Sequence, residues 1–352
     1  MDLCDGFSPV SLDTVKLLYL SCHSVLEYDE VKLFTELGID VFSHGVYANP
    51  ARPGDPKRPP IKFKYHPHLY TLSLTYSKDN LHPQMIDWAD VIVVMHIVDW
   101  IRNNWEKMKK KIVVYRSIGQ STMAVETMLF PFRQEGLKIV RYSPRERTIP
   151  GYVGEDTVIR FYKDPEEFGN WTGEDKRVIT VGQSMKGRRD FCGFDIFERA
   201  TRGFERLLIG PENDDVVELP HCLLSYKALK EALRASRVYF YTGTYPASYT
   251  LNFIEAFMTG IPIVALGPKL GNSPFELGQR TYEIPDIIKN GENGFYSDDI
   301  EELKKCIMLL MYDWELAKKI SQNARKTAIE LFGKERIKRR WRRFFDELEA
   351  QS

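Results

Sequence analysis

The stretch Tyr245 to Gly267, Y-P-A-S-Y-T-L-N-F-I-E-A-F-M-T-G-I-P-I-V-A-L-G, decides how this chain is read. Turn residues lead through the cap-type Ser248 into Leu251, Phe253, Ile254, Phe257 and Met258, a short and mostly apolar helix. Gly260 and Pro262 end it, and Ile263-Val264-Ala265-Leu266 reads as a buried strand. One carboxylate, Glu255, sits inside the apolar helix and needs hydrogen-bond donors, because an unpaired buried carboxylate is costly. The helix start near Tyr249 to Leu251 presents backbone N–H groups without intrahelical partners, which suits an anion. From Thr250 to Glu255 the helix rises roughly 7.5 Å, about the span from the diphosphate to the ribose hydroxyls of a nucleotide. One short element therefore has the reach to hold both ends of a nucleoside diphosphate. The alternative is that Glu255 bonds a neighbouring loop as part of a structural ion pair.

The segment A-S-Y-T-L-N-F-I-E-A-F-M-T-G-I-P-I-V-A resembles the donor-site signature of GT-B glycosyltransferases, especially retaining family 4, P-S-x-x-E-x-F-G-L-x-x-x-E-A-M-A-x-G-x-P-V-V-A. The resemblance implies that Glu255 binds the ribose and that the amides of Thr250 and Leu251, beside Tyr249, hold the diphosphate. The family's first glutamate, which touches the transferred sugar, falls at Ala247 and is absent. Pro285 to Phe295, P-D-I-I-K-N-G-E-N-G-F, is similar to the family's P-E-I-I-x-x-G-x-N-G, with Asp286 where glutamate is usual. Asp299 to Leu303 follows as the D-x-E-E-L-type helix start. The likeness covers about residues 177 to 345.

Composition bounds the problem without pointing to a partner. A chain of 352 residues suits two domains, and 43% apolar with 28% charged residues describes an ordinary globular protein. Net charge is zero, so no whole-molecule attraction to nucleic acid or anionic lipid is indicated. Five scattered cysteines (Cys4, Cys22, Cys192, Cys222, Cys306) form no C-x-x-C pair, which argues against a disulfide framework or zinc site. No signal peptide and no bilayer-length apolar run is read, so a cytoplasmic protein is expected.

Strand-like runs alternate with helix-periodic stretches, the pattern of α/β units with parallel sheets. Lys16 to Ser21, Asp40 to Val46, Asp90 to His96, Lys111 to Arg116 and Leu137 to Tyr142 read as strands of a first series. Residues 48 to 60, rich in Pro, Arg and Gly, read as a loop. A second series begins with Arg177-Val178-Ile179-Thr180-Val181-Gly182 and continues with Arg206 to Gly210 and Ser236 to Tyr241. The expected architecture is an acceptor-binding Rossmann-like domain over 1–155, a nucleotide-sugar domain over 156–332, and a terminal helix over 333–352 crossing back to the first. Ligands in such sheets bind outside the carboxyl ends of the strands, in the cleft between the domains.

Gly182 to Asp190, G-Q-S-M-K-G-R-R-D, follows a strand with glycines, Ser184 and the cations Lys186, Arg188 and Arg189, a set suited to phosphate. A solvated basic turn is the plainer alternative. The segment is similar to the family's G-R-L-x-x-x-K-G, with Gln183 where arginine is usual and Lys186 as the match for the family lysine. In the N-terminal half, His96 and Asp99 follow a strand end and are the candidate bases for inverting chemistry. His23, just before a helix start, is placed to reach a phosphate or an acceptor. Retaining chemistry needs no such base, because stabilising the departing diphosphate dominates. No D-x-D motif stands at a strand end, so no metal or other cofactor is required beyond the nucleotide-sugar, UDP being the commonest case in such families.

The expected function is metal-independent, retaining transfer of a sugar to a glycan or small-molecule hydroxyl. S-x-K-G-R-R and T-L-x-x-x-E also resemble phage glucosyltransferases that modify hydroxymethylated cytosine, which makes DNA the alternative acceptor. A catalytically silent nucleotide- or sugar-binding protein is the alternative of a different class. Lys334 to Arg343 carries seven basic residues and one acid, with Ile337, Trp341, Phe344, Phe345 and Leu348 at helical spacing. That helix either touches a membrane surface or nucleic acid, or packs its apolar stripe on the body.

Overall fold

The computed structural model describes residues 15–51, 58–272 and 279–350; Cys4 and residues 52–57 of the Pro-rich loop lie outside them. The alternation read from the sequence folds into two parallel, six-stranded sheets. The first holds β1 (Lys16–Leu20), β2 (Asp40–His44), β3 (Val91–Met95), β4 (Ile112–Arg116), β5 (Lys138–Arg141) and β6 (Thr157–Val158) in the order β2-β1-β3-β4-β5-β6. The second holds β7 (Asp175–Val181), β8 (Arg206–Ile209), β9 (His221–Cys222), β10 (Ser236–Tyr241), β11 (Ile263–Leu266) and β12 (Phe295–Ser297) in the order β12-β11-β10-β7-β8-β9. Runs such as V-I-V-V-M in β3 are buried along their whole length, as expected when helices cover both faces of a parallel sheet.

Each sheet reverses its strand order once, between β1 and β3 in the first and between β7 and β10 in the second. At such a reversal the loops leaving the two neighbouring strands diverge and leave a crevice. The sequence segment quoted first folds as anticipated, into the helix Leu251–Thr259 followed by β11. The helix ends on Gly260 at φ 87, where a side chain would be strained and a Cβ would lie 3.1 Å from the Ser321 hydroxyl.

The chain passes between the domains twice, and the two passes touch. The Lys163 amide donates to the Phe332 carbonyl at 3.0 Å, and Lys163 pairs with Gly333 in a parallel bridge. Beyond Gly333 the helix Lys334–Glu349 lies on the first domain: Trp341 and Phe345 meet Phe34 with ring centroids 4.9 and 5.8 Å apart. Lys334 and Lys338 reach Glu36 at 3.6 and 3.5 Å. The apolar stripe of this helix is therefore spent on the protein body. Among the described residues no helix is long and apolar enough to cross a membrane.

Candidate functional site

The crevice at the β7/β10 reversal opens onto the first domain and encloses a cavity of about 390 Å³. From the second domain it is lined by Gln183 and Arg188, which follow β7, and by Thr244, Ala247, Tyr249, Thr250, Leu251 and Asn252, which follow β10. From the first it is lined by His23, Ile118, Gly119 and Gln120, which follow β1 and β4, and by Phe161. The helix Leu251–Thr259 aims its N-terminus into this space. Its cap is Thr250, not the cap-type Ser248, and the Thr250 side chain makes no capping bond; its hydroxyl lies 3.1 Å from that of Tyr241. Ser248 is buried two residues earlier, where its amide donates to the Tyr142 hydroxyl at 2.5 Å. The first-turn amides thus combine a dipole's positive end with an uncapped terminus beside the Arg188 side chain, an arrangement suited to a diphosphate.

Glu255, one turn further in, is buried, and its carboxylate is engaged by protein cations. Arg58 and Lys163 each approach it at 2.9 Å, and Lys163 also binds Asp29 at 2.9 Å. Burial alone would push the Glu255 carboxyl upward, but Lys163 and Arg58 outweigh it and hold the group below its usual range. Burial raises Asp29 against the same two cations. Burial works against the Lys163 ammonium, yet Asp29 and Glu255 raise it above the ordinary lysine value. The guanidinium of Arg58 also lies over the Tyr226 ring, 4.1 Å from its centroid. Of the two sequence readings of Glu255, a structural ion pair is therefore the contact present, and its partners come from the first domain and the inter-domain crossing.

The remaining candidates scatter. Lys186 turns away from the cavity wall: its ammonium binds Glu218 at 2.7 Å and the Asp215 carbonyl at 3.0 Å. Arg189 pairs with Asp195 at 2.6 Å and lines a different cavity, of about 490 Å³. Gly182 and Ser184 shape the turn after β7: the Gly182 carbonyl accepts from Asn213 at 2.8 Å, and Ser184 has φ 47. Arg188 donates to the Gln183 carbonyl at 2.6 Å and remains exposed at the cavity. Tyr249 is buried between the domains, its hydroxyl donating to the Tyr142 carbonyl at 2.7 Å. His96 stands at the other reversal, after β3, with φ 61 and Nδ1 3.2 Å from the Tyr115 hydroxyl; burial lowers its pKa. Asp99 is exposed and paired with Arg102 at 2.9 Å. Neither His96 nor Asp99 belongs to the cavity wall.

Ala247, at the position of the family's first glutamate, faces Gly119 of the first domain. A Cβ built on Gly119 would lie 3.1 Å from that of Ala247, so the two domains approach closely at this point. Arg58, Lys163, Asp29 and Tyr226 were not singled out by sequence. Lys163 lies in a K-D-P-E-E run that reads as solvated, and nothing in its local pattern marks it as buried. Among the described residues no three His, Cys, Asp or Glu side chains gather where a metal ion could be held.

A scan against protein-family models and a search of curated proteins find no match to this chain. Solved structures do match in fold. HepE from Anabaena in complex with UDP-glucose is 13% identical, with a TM-score of 0.65 over 94% of this chain and 99% of that one. A glycosyltransferase from Rickettsia africae is 14% identical, with a TM-score of 0.66 over 96% and 99%. An α-glucosyltransferase in complex with UDP is 12% identical, with a TM-score of 0.51 over 90% and 96%. The fold is GT-B, two Rossmann-like α/β domains facing a cleft, as the sequence resemblance implied.

Proposed function

We propose that this chain is a glycosyltransferase that moves a sugar from a UDP-sugar to an acceptor hydroxyl, without a divalent metal and with retention. The observation that carries this reading is the uncapped start of the helix Leu251–Thr259, opening at the β7/β10 reversal onto a cavity walled by both domains. Negative charge building on a departing diphosphate would meet preorganised amides and Arg188, where such charge is best stabilised. The candidate bases His96 and Asp99 lie off that cavity, whose wall holds His23 instead. The acceptor would approach from the first domain, past His23 and the turn Ile118 to Gln120. UDP as the nucleotide draws support from the structural neighbours solved with UDP or UDP-glucose. The described cysteines are all unpaired, which fits a reducing, cytoplasmic setting.

A thermal-shift panel of UDP-, GDP-, ADP- and TDP-sugars tests the reading, since a ligand of the folded state raises the melting temperature. The UDP-sugars should give the largest shift, and a panel with no shift at saturation would sink the proposal. The pairing of Glu255 with Arg58 and Lys163 favours a second reading, a catalytically silent donor-binding protein. Free UDP released on incubation with UDP-sugars decides for the enzyme.

A further inference from the structure

Resting on that reading, we infer that Arg58 is an internal ligand: in the free protein it holds the nucleoside end of the donor site, and it must leave Glu255 before a nucleoside diphosphate can bind. Its guanidinium makes a charged bond to Glu255 at 2.9 Å and lies over the Tyr226 ring, 4.1 Å from its centroid. A nucleoside needs the same two things, an aromatic surface for its base and a carboxylate for its ribose diol. Arg58 is thus a chemical stand-in for the group that the neighbouring helix start is built to receive.

The cluster is arranged so that Arg58 is its expendable member. Lys163 is fixed by the bond from its amide to Phe332, is 2% exposed and serves two acids, and its removal would strand Asp29. If Arg58 departs, Lys163 still neutralises Glu255 while the carboxylate gains two hydroxyl donors from a ribose. Arg58 belongs to the first domain and Glu255 to the second, so the same exchange breaks one tie across the cleft. Donor affinity is then reduced by the fraction of molecules in which Arg58 occupies the site.

Calorimetric titration of UDP into the parent protein, Arg58→Ala and Glu255→Ala tests this. Arg58→Ala should bind UDP roughly fivefold more tightly or better, the gain expected when a competing state is removed; equal or weaker binding overturns the inference. Glu255→Ala should bind roughly tenfold more weakly, the loss of one charge-assisted contact. Unchanged binding there defeats the assignment of Glu255 to the nucleoside, whereas weaker binding there without a gain in Arg58→Ala defeats only the role of Arg58. The unaltered protein offers a measurement that does not depend on a variant folding. Phenylglyoxal labelling of Arg58, read by peptide mass spectrometry, should rise at saturating UDP, and labelling that stays level or falls counts against the exchange.

Discussion

The helix Ser24–Glu36, which follows β1, and the helix Leu251–Thr259 both begin at the carboxyl edge of a parallel sheet and both border the same cavity, yet their starts are finished differently. At the first, His23 turns its Nδ1 back to accept from the Leu26 amide at 3.3 Å, a side-chain cap of the usual kind. At the second, Thr250 makes no capping bond, and its hydroxyl meets the Tyr241 hydroxyl and the Asn252 side-chain oxygen. Two α/β units of similar build thus differ in whether the polypeptide satisfies its own helix start. The unit that leaves the start open is the one that keeps an arginine exposed beside it. An uncapped terminus forgoes about 1 kcal/mol of helix stability, and a bound anion is what restores it.

The contrast is open to attack at several points. Lys163→Met strikes hardest, because Lys163 is the cation bonded to the buried Asp29 carboxylate, whereas Glu255 keeps Arg58; a loss of about 3–5 kcal/mol in urea unfolding is expected. Thr250→Asp supplies the missing cap and sets a carboxylate where the diphosphate would lie. UDP binding should then weaken by roughly tenfold or more while the melting temperature holds or rises, a pairing of effects that a purely structural start would not produce. Arg188→Ala removes an exposed cation at the cavity and should weaken UDP binding by roughly threefold to tenfold with no change in melting temperature. His23→Ala, on the capped side, should cost about 1 kcal/mol of stability; were it to cost nothing, the two starts would not differ as described.

The smallest effect concerns pH. Burial lowers the pKa of His44 and His96, both at strand ends of the first sheet, from the usual 6.5. Below that value the unfolded chain takes up protons that the folded form refuses, so this share of stability is full at higher pH and falls as the solution is acidified. Between pH 7.5 and 5.5 the loss should stay under about 1.4 kcal/mol per histidine, and replacing His96 by Asn should flatten the dependence measured by urea midpoints.

Much of the fold was legible because its signals are local. Continuous apolar runs mark the central strands, and Gly260 with Pro262 punctuates the helix that matters most. The helix at Trp314–Phe332 and the short edge strands β9 and β12 were missed; two or three residues carry no period to read. The cavity wall was half legible: Tyr249, Thr250 and Leu251 of the quoted segment line it with Arg188 of the turn after β7, while Lys186 and Arg189 find nearer carboxylates. The surroundings of Glu255 were illegible for a physical reason. Arg58 lies 197 positions away in sequence, and Lys163 reads as a solvated charge until a second pass of the chain buries it. Long-range charge pairing follows from how domains meet, and one sequence by itself does not encode that in any local period.

The contact between Lys163 and Gly333 has a mechanical consequence. Where two crossings run side by side, relative rotation of the halves is confined to bending about that shared line. Lys163 sends its side chain from this pivot straight to Glu255, so a molecule bearing on that acid works at the short arm of a lever.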